Sequence, residues 1–237
     1  MEVGKAVILK VTGYSDNQKI IHAFTRERGF LSFISPVLIF KRRNFAVQPM
    51  QVVEMEFYEN ERGGLHRLKQ IAPLVNTAGL YSDVCKMNIA LLWGEILYLI
   101  LRNEQKNESL FDYLVRSVEY LNTSEKDTAN FNLFFLYRLA AFVGFRINSD
   151  TYREGDVFNI NDGTFSPAGS GMPYVSGPNA AKTIYRLCIC PVEELKEIPL
   201  NREARSVLLD VILLFYSIHL NTDFNVKSIQ VIREVFS

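Results

Sequence analysis

The period of the hydrophobic pattern changes near residue 80, and this change limits the folds that the chain can adopt. Before it, apolar and polar residues alternate in short segments separated by turn formers such as Gly13, Asp16 and Gly63, which is typical of half-buried strands. The predicted strands are 5–11, 18–25, 29–37, 50–58 and 65–71. Five short strands predict a small closed barrel, because closure removes exposed strand edges. An SH3-like barrel or a small sandwich fits the same pattern.

After the change, apolar residues recur at helical spacing. The first predicted helix is capped by Ser82 or Asp83 and continues to Arg102. Further helices are predicted over 109–122, 131–145 and 202–221. Gly144 lies where a left-handed C-terminal cap is expected, and Asn201 where an N-cap is expected.

Residues 146–181 interrupt the helical pattern and are rich in glycine and aspartate. An Asp-Gly pair at 162 and 163 predicts a small hairpin there. The predicted fold class is therefore α+β. A five-stranded barrel over residues 1–79 precedes an α-helical domain over residues 80–237, and residues 146–181 form an irregular hairpin region within it.

The overall charge is zero, but the charge is unevenly distributed. Lys and Arg number 26, as do Asp and Glu, so the whole-chain balance favours neither a nucleic acid nor a membrane as partner. Residues 1–79, however, hold eleven Lys/Arg against seven Asp/Glu, and residues 80–237 hold fifteen against nineteen. A basic barrel is thus joined to an acidic helical domain.

Localisation and redox state follow from three simple features. The most apolar stretch, 89–101, is too short to span a bilayer and contains Glu95, which favours a buried helix and no membrane partner. The beginning of the chain lacks a secretory pattern, so a cytoplasmic location is expected. Cys85, Cys188 and Cys190 have the spacing of neither a disulfide framework nor a zinc site and are interpreted as free thiols.

No catalytic motif is present in the sequence. It contains no phosphate-binding loop, no nucleophile elbow and no His-Glu-x-x-His, and its three histidines, His22, His66 and His219, are scattered. Asp156 and Asp162 belong to an acidic stretch without the spacing of a calcium loop. We therefore expect a protein that is not an enzyme and that needs no metal.

Cations interleaved with aromatic rings on the predicted barrel are the strongest functional signal. Lysine and arginine neutralise phosphates while rings stack on bases, so this combination suits single-stranded nucleic acid. For any one residue, a core ring or a solvated rim cation is the simpler interpretation. The cluster as a whole favours DNA binding by these candidate residues: Lys10, Lys19, Arg26, Arg28, Phe30, Lys41, Arg42, Arg43 and Phe45.

Arg138 is a cation within the apolar helix 131–145. Such an arginine usually pairs with a carboxylate of its own domain or extends its charge to the surface. Alternatively, it binds the carboxylate of a partner at the mouth of an apolar groove.

Several of these segments together resemble the RecO family of bacterial recombination mediators. The resemblance rests on the order of Tyr14 with Ser15 and Asp16, the turn "FTRERG", the basic segment 41–43 and Gln48-Pro49 before "VVEMEFY". It continues through "ESLFDYLVRSVEYLN" and "FNLFFLYRLAAFVGF".

This resemblance implies an N-terminal OB-fold barrel followed by a helical domain, in a bacterial, nucleoid-associated protein. It implies binding of single- and double-stranded DNA, annealing of strands and, with RecR, loading of RecA onto DNA coated by single-strand-binding protein (SSB). The helical domain would receive the acidic C-terminal tail of SSB, for which Arg138 is the candidate residue. Some members carry a four-cysteine zinc module after "LGF"; residues 146–181 have no cysteine, so no cofactor, zinc included, is expected.

Two other functions fit the sequence. A protein-interaction scaffold could use the basic barrel to bind an acidic protein partner without any nucleic acid. A small-molecule enzyme is less favoured because no nucleophile and base converge in the sequence, although such groups can meet in space.

Overall fold

The computed structural model describes residues 1–37, 46–102, 104–125, 128–169, 176–221, 226, 228 and 229. These residues form two compact units. The first comprises Met1–Thr123 together with the described residues from Val226 onward, and the second lies within Ser124–Asn225.

The first unit begins with a closed five-stranded barrel of strand order β1-β2-β3-β5-β4. Its strands are β1 (Glu2–Ser15), β2 (Gln18–Thr25), β3 (Gly29–Pro36), β4 (Val52–Tyr58) and β5 (Leu65–Pro73). β1 pairs antiparallel with both β2 and β4, and β3 pairs parallel with β5. The predicted OB-fold barrel is confirmed, and the SH3-like and sandwich alternatives are excluded.

The first strand is longer than the predicted 5–11 because its two halves pair with different neighbours. Residues 2–7 pair with β4, and residues 6–15 pair with β2. The register shifts between Ile8 and Lys10, where Leu9 is the extra residue of a β-bulge. Ile8 and, beyond the bulge, Val11 contact the barrel core, so Lys10 lies on the outer face. The buried core comprises Ala6, Ile8, Ile21, Ala23, Phe33, Val53, Met55, Phe57, Leu68 and Ile71.

Three helices complete the first unit: α1 (Ala78–Ser82), α2 (Val84–Leu101) and α3 (Glu108–Thr123). The carboxylate of Asp83 accepts a hydrogen bond from Lys86 N and caps α2, as the sequence predicts. α2 approaches β1 closely at Gly94, where an added Cβ would lie 2.6 Å from the carbonyl oxygen of Leu9. The sequence pattern puts a domain boundary between residues 79 and 80, and this packing groups α1 to α3 with the barrel.

α2 is the predicted apolar helix. Within the described part of the chain it alone is long and apolar enough to cross a membrane, with a mean hydropathy of 1.6, and 56% of it is buried inside the protein. Trp93 and Leu97 are fully buried. Glu95 is half-buried and accepts hydrogen bonds from the backbone N–H and the hydroxyl of Ser228. The predicted buried helix is confirmed.

The second unit contains three helices and a small hairpin among its described residues. They are α4 (Thr128–Phe142), β6 (Val157–Asn159), β7 (Thr164–Ser166), α5 (Pro178–Ile189) and α6 (Arg202–Leu220). Single 3-10 helices cover Ser149–Thr151 and Val192–Glu197. The predicted hairpin is present, and its Gly163 has a φ of +64°.

The predicted ends of the second unit's helices agree with the structure within a few residues. Asn201 accepts a hydrogen bond from Ala204 N and caps α6, as predicted. α4 ends at Phe142, earlier than the predicted residue 145, and Gly144 follows with the expected positive φ of +97°. Phe145 N then donates to Ala140 O across this turn.

Candidate nucleic-acid interface

Cations and rings meet on the outer face of the barrel, where α2 crosses β1, β2 and β3. We call this group the Tyr98 cluster and define it as Lys10, His22, Phe30, Tyr98 and Arg102. Lys10 Nζ lies 4.4 Å from the centroid of the Tyr98 ring, and the guanidinium carbon of Arg102 lies 5.6 Å from it. Both separations are within the range of cation–π attraction, so two positive charges lie against the Tyr98 ring.

Two more rings adjoin Tyr98. The His22 ring lies 4.9 Å from the Tyr98 ring and 6.0 Å from the Phe30 ring, which is stacked on it at an interplanar angle of 17°. Phe30 also lies 6.0 Å from Tyr98. All three rings are half-buried, and Arg102 is exposed, so the cluster presents both charge and aromatic surface to solvent.

The strand register explains the strand side of the cluster. Lys10 pairs with His22 across β1 and β2, and His22 pairs with Ser32 across β2 and β3, so these side chains form one row on the outer face. The bulge at Leu9 puts Lys10 in this row. Tyr98 lies on α2, and Arg102, the C-cap residue of α2 with helical backbone angles, follows one turn later and therefore lies on the same side.

His22 titrates abnormally because of these neighbours. Its Nδ1 lies 2.8 Å from Ser32 Oγ. Burial lowers the pKa of His22 below its ordinary value, and the positive charges of Lys10 and Arg102 lower this pKa further. The ring is therefore neutral at pH 7.

Arg26 and Arg28 lie in ion pairs with carboxylates. Arg26 lies 3.5 Å from both Glu108 and Asp112 of α3. Arg28 lies 3.0 Å from Glu2 and also pairs with Glu59.

Arg28 and Glu59 affect each other's ionisation. The hydrogen bonds that Arg28 donates to Glu59 and to Glu2 raise the pKa of Arg28, and the one that Glu59 accepts from Arg28 lowers the pKa of Glu59. The charges of both Arg26 and Arg28 are thus compensated locally, whereas Lys10 and Arg102 have no ion pair within the part of the chain that the structure describes.

The other predicted contact residues have different positions. Lys19 is half-buried and pairs with Ser35. It lies two residues before the buried Ile21 and therefore on the face of β2 opposite to His22. Phe33 is fully buried in the barrel core. Lys41, Arg42, Arg43 and Phe45 lie outside the described residues.

Three members of the cluster are not predicted from the sequence. His22 is one of three scattered histidines, Tyr98 lies on a helix that is predicted only as buried, and Arg102 directly follows this helix. The Tyr-x-x-x-Arg spacing shows that Tyr98 and Arg102 share one side of the helix. The hydrophobic pattern does not show which strand this side of the helix packs against.

The likeness to known proteins covers both parts of the chain. A family model described as "Recombination protein O N terminal" matches residues 1–76, and one described as "Recombination protein O C terminal" matches residues 81–228. The chain belongs to the RecO family. The resemblance stated from the sequence is confirmed.

Curated RecO proteins match over nearly their full length. The chain is 31% identical over 236 residues to the DNA repair protein RecO of Bacteroides fragilis, with 97% of each chain covered. It is 31% identical over 237 residues to that of Phocaeicola vulgatus and 28% identical over 238 residues to that of Flavobacterium psychrophilum. The alignments with these two cover 98% of this chain, and 97% and 98% of the relatives. The chain is a RecO DNA repair protein, and this part of the predicted function is confirmed.

Arg138, the residue predicted to bind the acidic tail of SSB, lies in α4 of the second unit. Its Nε donates to Leu187 O at 3.4 Å, and a terminal nitrogen donates to Cys190 O. The guanidinium carbon lies 4.3 Å from the centroid of the Phe134 ring. Within the described residues no carboxylate is paired with Arg138, so its contacts fix the side chain without cancelling its charge.

Turn contacts hold two carboxylates of residues 146–181, the region for which the resemblance implies a zinc module in some members. Asp156 accepts from Arg153 N at 2.9 Å, and Asp162 accepts from Asn159 Nδ2 at 2.8 Å, so both carboxylates serve turns. Among the described residues, no group of three or more His, Cys, Asp or Glu could hold a metal ion. Burial raises the pKa of Cys188 to about 12, so this thiol is protonated at neutral pH.

Proposed function

We propose that this RecO protein binds DNA through the outer face of its barrel, with the Tyr98 cluster as the central contact. The observation that carries the proposal is the arrangement of Lys10 and Arg102 around Tyr98. Two cations beside half-exposed rings match what single-stranded DNA offers, which is an anionic backbone next to flat bases. The face formed by strands β2 and β3 is also the surface with which OB-folds bind oligonucleotides.

The remaining predicted residues would extend this contact surface. The basic segment 41–43 and Phe45 follow β3 in the sequence and would add charge and a ring. Arg26 and Arg28 would contribute only by exchanging their carboxylate partners for phosphates, so their net effect is smaller than that of Lys10 or Arg102. Lys19, near the beginning of β2, would contact the DNA backbone at the edge of this DNA-contact surface.

We further propose the finer activities that the RecO family implies. They are binding of single- and double-stranded DNA, annealing of complementary strands, and loading of RecA on SSB-coated DNA together with RecR. Arg138 would bind the acidic tail of SSB, because its guanidinium keeps its full charge beside the apolar ring of Phe134. Strand annealing measured with and without SSB tests these activities directly.

We also propose that the hairpin works without zinc. Phe158 and Phe165 pack at 5.2 Å, and Tyr152 contacts Phe165 at 5.3 Å while stacking on Tyr185. Phe165 N donates to Thr151 Oγ1 at 2.9 Å. These aromatic contacts and this hydrogen bond would stabilise the hairpin in place of metal ligands.

Binding of a fluorescent single-stranded oligonucleotide across a salt titration tests the interface. The double variant Lys10→Ala with Arg102→Ala should bind more weakly. The slope of log affinity against log salt should fall by about 1.4, because each lost phosphate contact on a single strand changes it by about 0.7. Lys182→Ala with Arg186→Ala, in the second unit, removes the same charge and should leave the slope close to that of the unmodified protein.

If the Lys10 and Arg102 double variant binds like the unmodified protein at every salt concentration, the Tyr98 cluster is not the contact site. If neither the unmodified protein nor the Lys10 and Arg102 double variant binds the oligonucleotide at moderate salt, the protein-interaction scaffold replaces DNA binding as the proposed function. The basic barrel would then serve an acidic protein partner.

A further inference from the structure

His22 is the one titratable group of the Tyr98 cluster that can change its charge near neutral pH. It is surrounded by groups from each element packed against it. Lys10 comes from β1, Ser32 and Phe30 from β3, and Tyr98 and Arg102 from α2. Among the described residues, the charged groups that shift its pKa are Lys10 and Arg102, both cations.

The geometry leaves one nitrogen of His22 available. Nδ1 is engaged by the hydroxyl of Ser32 at 2.8 Å, and this contact fixes the ring plane. Nε2 has no hydrogen-bond partner among the described residues. A protonated imidazole donates from both nitrogens, so Nε2–H can donate to an anion that Lys10 and Arg102 attract.

We propose that His22 binds a phosphate of the DNA backbone together with Lys10 and Arg102, and that it takes up one proton from solvent when DNA binds. This inference rests on the proposed DNA-binding function and adds a third phosphate ligand and a proton to it. No covalent bond is formed or broken.

The direction of the coupling follows from the charges. In the free protein, burial and the two cations keep His22 neutral at pH 7. A bound phosphate brings a negative charge that offsets the two cations and favours the imidazolium form, so the pKa of His22 rises on binding. By linkage, DNA then binds more tightly as the pH falls, with a limit of about tenfold per pH unit for one proton.

The coupling is measured by titrating the oligonucleotide at constant ionic strength between about pH 5 and pH 8, the range in which histidines ionise. The unmodified protein should gain affinity as the pH falls. His22→Gln cannot be protonated and should bind weakly with little change over this range. His22→Arg carries a permanent charge and should bind tightly with an equally flat profile. His219→Gln, in the second unit, should keep the profile of the unmodified protein.

A second measurement does not depend on the folding of any variant. Histidine NMR shifts of the unmodified protein, recorded with and without the oligonucleotide, should report a higher pKa for His22 in the complex. An unchanged His22 pKa, or a His22→Gln variant that keeps the pH dependence of the unmodified protein, overturns the inference.

The two proposals fail in different ways. If Lys10→Ala with Arg102→Ala weakens binding at all pH values but His22→Gln behaves like the unmodified protein, only the role of His22 is lost. If the Lys10 and Arg102 variant binds normally, the proposed interface itself is wrong.

Discussion

At the scale of single residues, Gly94 shows how closely a helix can approach a strand. An added Cβ there would lie 2.6 Å from Leu9 O and 2.8 Å from Pro49 Cβ, distances that require the backbone to move. Gly94→Ala should therefore destabilise the protein by about 1–3 kcal/mol, the usual cost of overpacking. Urea unfolding followed by circular dichroism measures this change.

Gly13→Ala is the matched control for this substitution. Gly13 also lies in the first unit, has no atom within 4 Å of an added Cβ and has no positive φ. The free energy of unfolding of the Gly13→Ala variant should stay close to that of the unmodified protein. Equal stability losses in the two variants would show that the close approach at Gly94 does not constrain α2.

At the scale of elements, the proposed interface makes α3 a competitor of DNA for a cation of the barrel. Glu108 and Asp112 are one turn apart on α3, and both lie 3.5 Å from Arg26. Glu108→Gln with Asp112→Asn should release Arg26 for phosphate and raise DNA affinity about two- to fivefold, a small effect because exposed ion pairs are weak. The fluorescent oligonucleotide assay at low salt measures it.

Glu154→Gln controls for the loss of negative charge in general. Glu154 pairs with Lys182 within the second unit. It should leave DNA affinity unchanged. A Glu108 and Asp112 variant that binds no better than the unmodified protein would mean that Arg26 lies away from the DNA.

The strands and helices were largely predictable from the sequence, whereas the place where α2 packs on the barrel was not. Alternation gave the five strands, and capping residues such as Asp83 and Asn201 marked helix starts, because these signals are local. The bulge at Leu9 and the crossing of α2 over the barrel depend on contacts between residues far apart in sequence. The sequence prediction therefore includes Lys10 and Phe30 of the Tyr98 cluster but not His22, Tyr98 or Arg102.

Charge counting also had a limit at this scale. It identified a basic barrel, but it could not tell which cations are compensated. Arg26 and Arg28 each lie beside two carboxylates, whereas Lys10 and Arg102 lie against a ring. Whether a cation forms an ion pair depends on the packed structure. Arginines and lysines that look alike in the sequence therefore differ in how strongly they can attract phosphate.

At the scale of the whole molecule, the two compact units hold separate candidate contacts for two anionic partners. The Tyr98 cluster in the first unit suits a phosphate backbone, and Arg138 in the second suits a carboxylate tail. The two contacts should therefore respond to different substitutions. Arg138→Ala should weaken binding of an acidic tail peptide by about tenfold or more, the value of a charge-assisted hydrogen bond, and should leave oligonucleotide binding unchanged.

The double variant Lys10→Ala with Arg102→Ala should show the reverse pattern, with weaker oligonucleotide binding and normal peptide binding. Arg138 also donates to the carbonyls of Leu187 and Cys190, so its loss lowers stability, and unfolding curves must first show that the variant is folded at the assay temperature. Arg138→Lys keeps the charge but cannot reproduce both carbonyl contacts. If it restores peptide binding while the unfolding midpoint stays low, the charge of Arg138 attracts the tail; if a folded Arg138→Ala variant binds the peptide normally, Arg138 only anchors the end of α5.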